Sequence, residues 1–355
     1  MAENTINIYS TRAMMDFIKF EPGVARFFRE TAFRRAETYN TNIFDIDVIS
    51  QGRPIAVSVK RREDGNLVED KSFETKSVEP GYLNEFKAIE IDKFKNRKPQ
   101  ETPYNYTGPG VQAQQAEAES FTELTSRFNR SEELFCIEAM TNGTFTGKNK
   151  EGVAIYQIDF KLRADHKPVL SGANLWDDPG MSKNKLLEMI RGWITHHLIK
   201  HGGKMPTHMA LGGNAFNAFL KHVDPDDKTS GHNAFTVVRG VVTPRMQEMG
   251  VFFLGTFPEL GNIQVVGYNE WYDDPWTKET KPVFPSNKAV LFSKNARYVR
   301  LYGRINHLEA PDFAERFPYI WSTPNGKQRH AQLESAPLMA PLEIDTVFSA
   351  TVTAA

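Results

Sequence analysis

One cysteine, Cys136, stands in 355 residues, which excludes an intrachain disulfide framework and any zinc site built on several thiolates. So thiol-poor a chain suits a reducing compartment. No apolar run reaches the roughly 18 residues that span a bilayer, so no membrane partner is expected. The opening Met1-Ala2-Glu3-Asn4 lacks the basic-then-apolar order of a signal peptide, and the chain is expected to be made in a cytoplasm. Net charge is missing too: 43 Lys plus Arg nearly cancel 44 Asp plus Glu. No long-range field therefore draws the protein onto nucleic acid, and a nucleic-acid-binding reading would need a basic face that this balance does not reveal.

The chain also lacks a recognisable reaction centre. His196, His197, His201 and His208 cluster, and His197 and His201 share one face of a predicted helix, as two metal ligands would. No glutamate lies between them in a His-Glu-x-x-His order, and His201 falls in a helix C-terminal turn, where the dipole favours histidine. Gly143-Thr144-Phe145-Thr146-Gly147-Lys148 is one residue short of a phosphate loop, with Asn149 where Ser or Thr would meet magnesium, and reads as a turn. Asp177-Asp178, Asp226-Asp227 and Asp273-Asp274 lie beside proline in polar loop ends. No Gly-x-Ser-x-Gly elbow occurs. No catalytic, cofactor-binding or metal-ligating residue is assigned, and no cofactor is expected.

What the chain has is phenylalanine, 25 of them against 11 Tyr and 5 Trp. Large aromatics dominate cores and interfaces alike. Many sit in residues 1–38, where Phe17, Phe20, Phe27, Phe28 and Phe33 surround the Pro22-Gly23 break. So short an arm cannot bury them against itself, and must lie on the rest of this chain or on a neighbour. From Thr41 to Lys60 the period is two, and after a charged turn at Lys60-Arg61-Arg62-Glu63-Asp64-Gly65 a second extended piece runs from Phe73 to Val78. This reads as a long hairpin with a charged tip, which needs a surface to lie on. A loop-like stretch, 96–110, precedes the clearest helix, about 111–140, with Phe121, Phe128 and Phe135 on one face. Its length, roughly 42 Å, makes it a strut. A hairpin follows over 144–160. A helix then starts at the N-cap Ser182, buries Leu186, Leu187, Ile190, Ile194 and Leu198, and stops at Gly202-Gly203. A shorter helix over 214–222 and strands over 251–255, 263–268 and 289–292 complete a mixed α/β unit at about 176–300.

Several short stretches, in order, carry a resemblance. They are Phe27-Phe28-Arg29-Glu30 after Pro22, Pro80-Gly81-Tyr82, the hairpin ending Ile158-Asp159-Phe160, and Trp176-Asp177-Asp178-Pro179. Pro285 to Leu291, Ala296-Arg297, Tyr302-Gly303 and Ser335-Ala336-Pro337-Leu338-Met339 continue the series. Together they resemble the major capsid proteins of lambda-like tailed bacteriophages, the phage capsid E family. The resemblance implies an α+β fold of the Hong Kong 97 type. Its parts would be an arm (1–38), an extended hairpin loop (39–85), a peripheral domain with a spine helix at about 111–140 (86–175), an axial domain (176–300), return strands (301–342) and a C-terminal tail (343–355).

It further implies a head protein that assembles in the host bacterial cytoplasm with copies of itself, as hexameric and pentameric capsomers of an icosahedral shell in the virion. Scaffold, portal and decoration proteins would be its partners, and double-stranded DNA would be enclosed without sequence specificity. Near-neutral charge suits such a container, since a strongly basic lining would hold the genome through counterion release. On this reading Phe27 and Phe28 are expected to anchor on a neighbouring subunit with Arg29 and Glu30 as rim partners, and Lys60, Arg61, Arg62, Glu63 and Asp64 to form intersubunit ion pairs. No lysine–asparagine crosslink pair is identifiable. The competing expectation is a cytoplasmic metal-dependent enzyme using the His196–His208 cluster.

Overall fold

A short helix, α1 (Phe27–Thr31), and a strand, β1 (Arg35–Thr38), open the described part of the chain. The structure, a computed structural model, describes residues 26–49, 73–79, 81–90, 109–222, 251–324 and 328–354. β2 (Phe44–Ile49) and β3 (Phe73–Val78) pair antiparallel, with Phe44 opposite Val78 and Ile49 opposite Phe73. Phe44 and Val78 root this hairpin in the main core. Its charged tip, Lys60 to Asp64, lies outside the described residues.

After β4 (Leu83–Glu90) comes the long helix α2, Pro109–Asn142, longer at both ends than its periodicity predicts. Its 34 residues make a rod of about 51 Å. Gly143 ends it with φ 73°, in the left-handed region that glycine enters at little cost. The next residues form a second hairpin, β5 (Thr144–Lys148) and β6 (Ala154–Asp159), paired from Thr144 opposite Asp159. The glycine-flanked stretch 143–148 is therefore a helix stop and a strand.

Ser182 caps α3 (Lys183–Gly192), its hydroxyl accepting from the Lys185 amide at 3.3 Å. Leu186, Leu187 and Ile190 are buried, as are Ile194 and Leu198 beyond them. The second half of this helix departs from expectation, because Trp193–Gly202 is π-helical. There the backbone hydrogen bonds reach to the fifth residue instead of the fourth. Gly203, at φ 70°, closes the segment.

β7 (His208–Leu211), α4 (Gly213–His222), β8 (Val251–Phe257), β9 (Ile263–Tyr268), a small pair β10 (Trp271–Asp273) and β11 (Thr280–Pro282), and β12 (Lys288–Phe292) follow. Then come β13 (Tyr298–Tyr302), β14 (Phe317–Ser322), β15 (Gln328–Ser335), β16 (Pro337–Pro341) and β17 (Phe348–Thr351). β17-β12-β7-β9-β8 form a five-stranded sheet in which β7 and β9 are parallel and the other pairs antiparallel. Both of its faces are covered. Ala289, Leu291, Met209 and Leu211 face the core under α3 and α4, while the alternate residues Val290, Phe292 and Ala210 face the core shared with α1 and α2. Two-sided burial explains why these strands read as apolar runs.

The tail expected over 343–355 is no appendage. Phe348 to Thr351 form the edge strand of this sheet, with Phe348 opposite Leu291 and Ala350 opposite Ala289. Phe348 and Ala350 are buried in the core beneath α3 and α4.

Two three-stranded sheets line α2 along its length. β14-β15-β4 packs Ile89, Ala331 and Leu333 on Phe121, Leu124 and Phe128 of its first half. β1-β13-β16 lies beside its second half, where Cys136, Ile137 and Met140 join Leu338 and Met339. One helix thus supports two sheets in succession, which is why it must be long. Among the described residues no helix is long and apolar enough to cross a membrane.

Candidate functional site

The two sequence stretches at opposite ends of the chain meet at the second half of α2. β13 joins them: β1, just past Phe27-Phe28-Arg29-Glu30, runs parallel to it on one side, and β16, just past Ser335, runs antiparallel on the other. Ser335 is buried, and its hydroxyl donates to the Glu315 carbonyl at 2.6 Å.

α1 has no local cap, because Arg26 offers its first turn no side-chain acceptor. Its leading amides would be orphaned in the core. Glu133 of α2 takes that role: Phe28 N donates to Oε1 at 2.8 Å and Arg29 N to Oε2 at 2.9 Å, while the Tyr268 hydroxyl donates to Oε1 at 3.2 Å. A carboxylate here also meets the positive end of the short helix. Burial nevertheless pushes the Glu133 carboxyl up to about 7, outweighing these three hydrogen bonds.

Its neighbour Glu132 points to a different set of partners. Arg29 Nε lies at 2.7 Å, Arg316 Nη2 at 2.9 Å, and the Tyr302 hydroxyl donates at 3.3 Å. Burial alone would raise this carboxyl, but Arg316, then Arg29 and Arg300, hold it below the usual carboxylate range. Arg316 also donates to Asn129 Oδ1 at 2.6 Å. Two adjacent carboxylates on one helix therefore work differently, Glu133 as a helix cap and Glu132 as the centre of a buried ion cluster.

Phe27 and Phe28 are not free to anchor on a neighbour, which corrects the expectation placed on them. Both are buried in their own subunit. Phe28 stacks on Phe284 with centroids 5.7 Å apart and planes at 4°, and Phe27 meets Phe28 and Phe292 edge-on at 5.4 and 6.3 Å. Arg29 likewise turns inward to Glu132, so it is no rim residue. Only Glu30 of the four lies near the surface, paired with Arg26 at 3.5 Å.

Among the described side chains, His201 and His208 do not converge as the competing metal-dependent enzyme would need. His208, on β7, is buried beside Phe27 and Phe292, and burial, then Lys294 and Arg34, push it down to about 4. His201 faces the other way, with Nε2 3.5 Å from Asp165 Oδ2. The acidic pairs serve turns: Asp178 Oδ1 accepts from the Gly180 amide at 2.8 Å, and Asp274 Oδ1 from the Trp276 amide at 2.9 Å. Asp226-Asp227 lies outside the described residues.

The described surface carries large apolar side chains that none of the described residues covers. Leu308 is 104% exposed and Phe313 66%. Both lie in the loop between β13 and β14. Phe86 on β4 and Trp321 on β14 are open on the face of their sheet turned away from α2, where Trp321 stacks on His330 at 4.1 Å. Val153 and Ile155 are open on the second hairpin.

The family described as phage major capsid protein E matches residues 10–352. The major capsid protein of Enterobacteria phage P21 is 20% identical over 348 residues, spanning 94% of this chain and 96% of its own. Among solved structures, a prophage capsid protein of Escherichia coli CFT073 is similar with TM-score 0.70 and 17% identity, covering 97% of this chain and 99% of that one. The capsid of cyanophage A-1(L) gives TM-score 0.50 and 12% identity over 94% of each chain. The α+β arrangement described above is thus that of phage capsid proteins.

Proposed function

Since the chain belongs to the phage major capsid protein E family, we propose that its copies close into hexameric and pentameric capsomers of an icosahedral shell around packaged double-stranded DNA. It is a major capsid protein of a tailed phage, and its place is the virion capsid. Its work is structural rather than catalytic, in keeping with the family.

The observation that carries self-assembly is the uncovered apolar surface, above all Leu308 and Phe313. Side chains of this size left in water mark contacts with other proteins, and in a capsid protein the nearest partner is another copy. With Phe27 and Phe28 committed to their own core, these two residues become the anchors of the intersubunit contact. The arm before residue 26 and the hairpin rooted by Phe44 and Val78 extend the contact, with the tip from Lys60 to Asp64 making ion pairs across it. Scaffold, portal and decoration proteins act on the assembled lattice. The proposed division of this subunit is arm, hairpin loop, peripheral domain, axial domain, return strands and C-terminal tail, and the pairing of β17 with β12 favours counting the tail with the axial domain.

Light scattering and negative-stain microscopy of the purified chain test this. Shells, capsomer rings or tubes are the expected outcome. A monomer that stays monodisperse at high concentration, with and without a scaffold protein, counts against it.

A further inference from the structure

Three groups outside the clasp that Glu132 and Glu133 of α2 form on α1 converge in the described structure: Asp165 and His166 on the turn after β6, and His201 at the end of the π-helical segment. One donor atom from each lies within 4.8 Å of the others. We propose that Asp165, His166 and His201 form a binding site for a divalent transition-metal ion of the zinc class.

Two features distinguish this trio from an accidental surface cluster. His166 is fully buried, and its Nδ1 lies 2.8 Å from the Val347 carbonyl. That bond assigns the proton to Nδ1 and leaves Nε2 as the lone-pair donor, the tautomer a metal-ligating imidazole needs. The ring is also held against Phe348 at 5.8 Å and faces the His201 ring at 5.6 Å. The second feature is charge. Two basic groups on adjoining elements are matched by carboxylates, Arg163 by Asp345 at 3.4 Å and Lys204 by Glu343, and Lys167 donates to the Asn142 carbonyl at 3.3 Å.

Two imidazoles and one carboxylate suit Zn²⁺ or Co²⁺ far better than Ca²⁺ or Mg²⁺, which take oxygen ligands. Metal bonds of about 2.0–2.2 Å require the three donors to close from their present spacing. Asp165 and His201, both partly exposed, have the freedom to do so. A bound ion would tie the turn after the second hairpin to the end of the π-helical segment. Through Val347 it would reach the strand that completes the five-stranded sheet.

The test is a Zn²⁺ titration by calorimetry, and a Co²⁺ titration read by visible absorption, on the full chain freed of metal by a chelator. One equivalent per chain is expected, with tetrahedral Co²⁺ bands. Asp165→Asn and His201→Gln, each checked for an unchanged circular dichroism spectrum, should each weaken binding by at least the roughly 10–100-fold that loss of an outer-shell partner costs. The double variant His196→Gln/His197→Gln should bind as the unaltered chain does. Absence of stoichiometric binding, survival of full affinity in both single variants, or its loss in the His196/His197 double variant would overturn the assignment.

Discussion

Glu133 and Phe28 are joined by a 2.8 Å hydrogen bond that crosses 105 positions of sequence, the carboxylate of the spine helix closing the amide end of a five-residue helix. The entry of the arm is thereby fixed to the middle of the subunit.

Glu133→Ala should leave the Phe28 and Arg29 amides buried without an acceptor. At about 1–3 kcal/mol for each unsatisfied group, a loss of about 2–6 kcal/mol is expected. Glu133→Gln keeps one acceptor oxygen and should lose less. Denaturant unfolding of the purified chain measures both, and equal losses would show that the cap bonds do not matter.

The same carboxyl makes a pH prediction. Its folded value, about 7, lies above the ordinary 4.5, so between those values the folded chain binds more protons than the unfolded one. Its contribution is then most favourable below about pH 4.5 and is lost as pH rises through 7. The span corresponds to at most about 3 kcal/mol. Melting temperature followed from pH 4.5 to 8 should fall less steeply with rising pH in Glu133→Gln than in the unaltered chain. Parallel curves would remove Glu133 as the source.

Phe28→Ala and Phe313→Ser should fail in different ways. Phe28 is a core residue, so its truncation should cost about 3–5 kcal/mol and reduce the yield of folded subunit. Phe313 is exposed, so its replacement should leave unfolding within about 0.5 kcal/mol while reducing assembly. Loss of assembly without loss of subunit stability in Phe28→Ala would return that residue to the interface.

Reversing Arg61 and Arg62 to glutamate should slow shell formation at low salt, with the difference shrinking as added salt screens the charges beyond about 10 Å. Time-resolved light scattering at two ionic strengths reads this. Identical traces at both would leave the hairpin tip solvated.

Much of the scaffold is legible from residues alone. The cap at Ser182, the stripe from Leu186 to Leu198, the strut helix and the apolar strands all follow from local periodicity and capping, which short windows contain. The family was legible in the ordered motifs. The role of Phe27 and Phe28 was not, because an aromatic signals burial without saying in which subunit. The clasp escaped for a related reason: a glutamate on a helix reads as solvated unless its distant partner is known. A signal was nevertheless there, since Glu132 falls four residues after Phe128 and four before Cys136, inside the buried stripe. The π-helical turn has no signature in period or composition, and β17 is only four residues long.

The strand partnerships have one more consequence. β1 pairs with residues near 300, and β4 with residues 328–335. Neither sheet along the spine helix is complete until segments more than 200 positions apart have both been translated. A chain broken off by a nonsense codon before residue 298 would therefore expose the inner face of α2 and leave Glu132 without Arg316 and Tyr302. Such a fragment has no half-built subunit to offer the lattice, so it is a target for proteolysis rather than a defective tile in the shell.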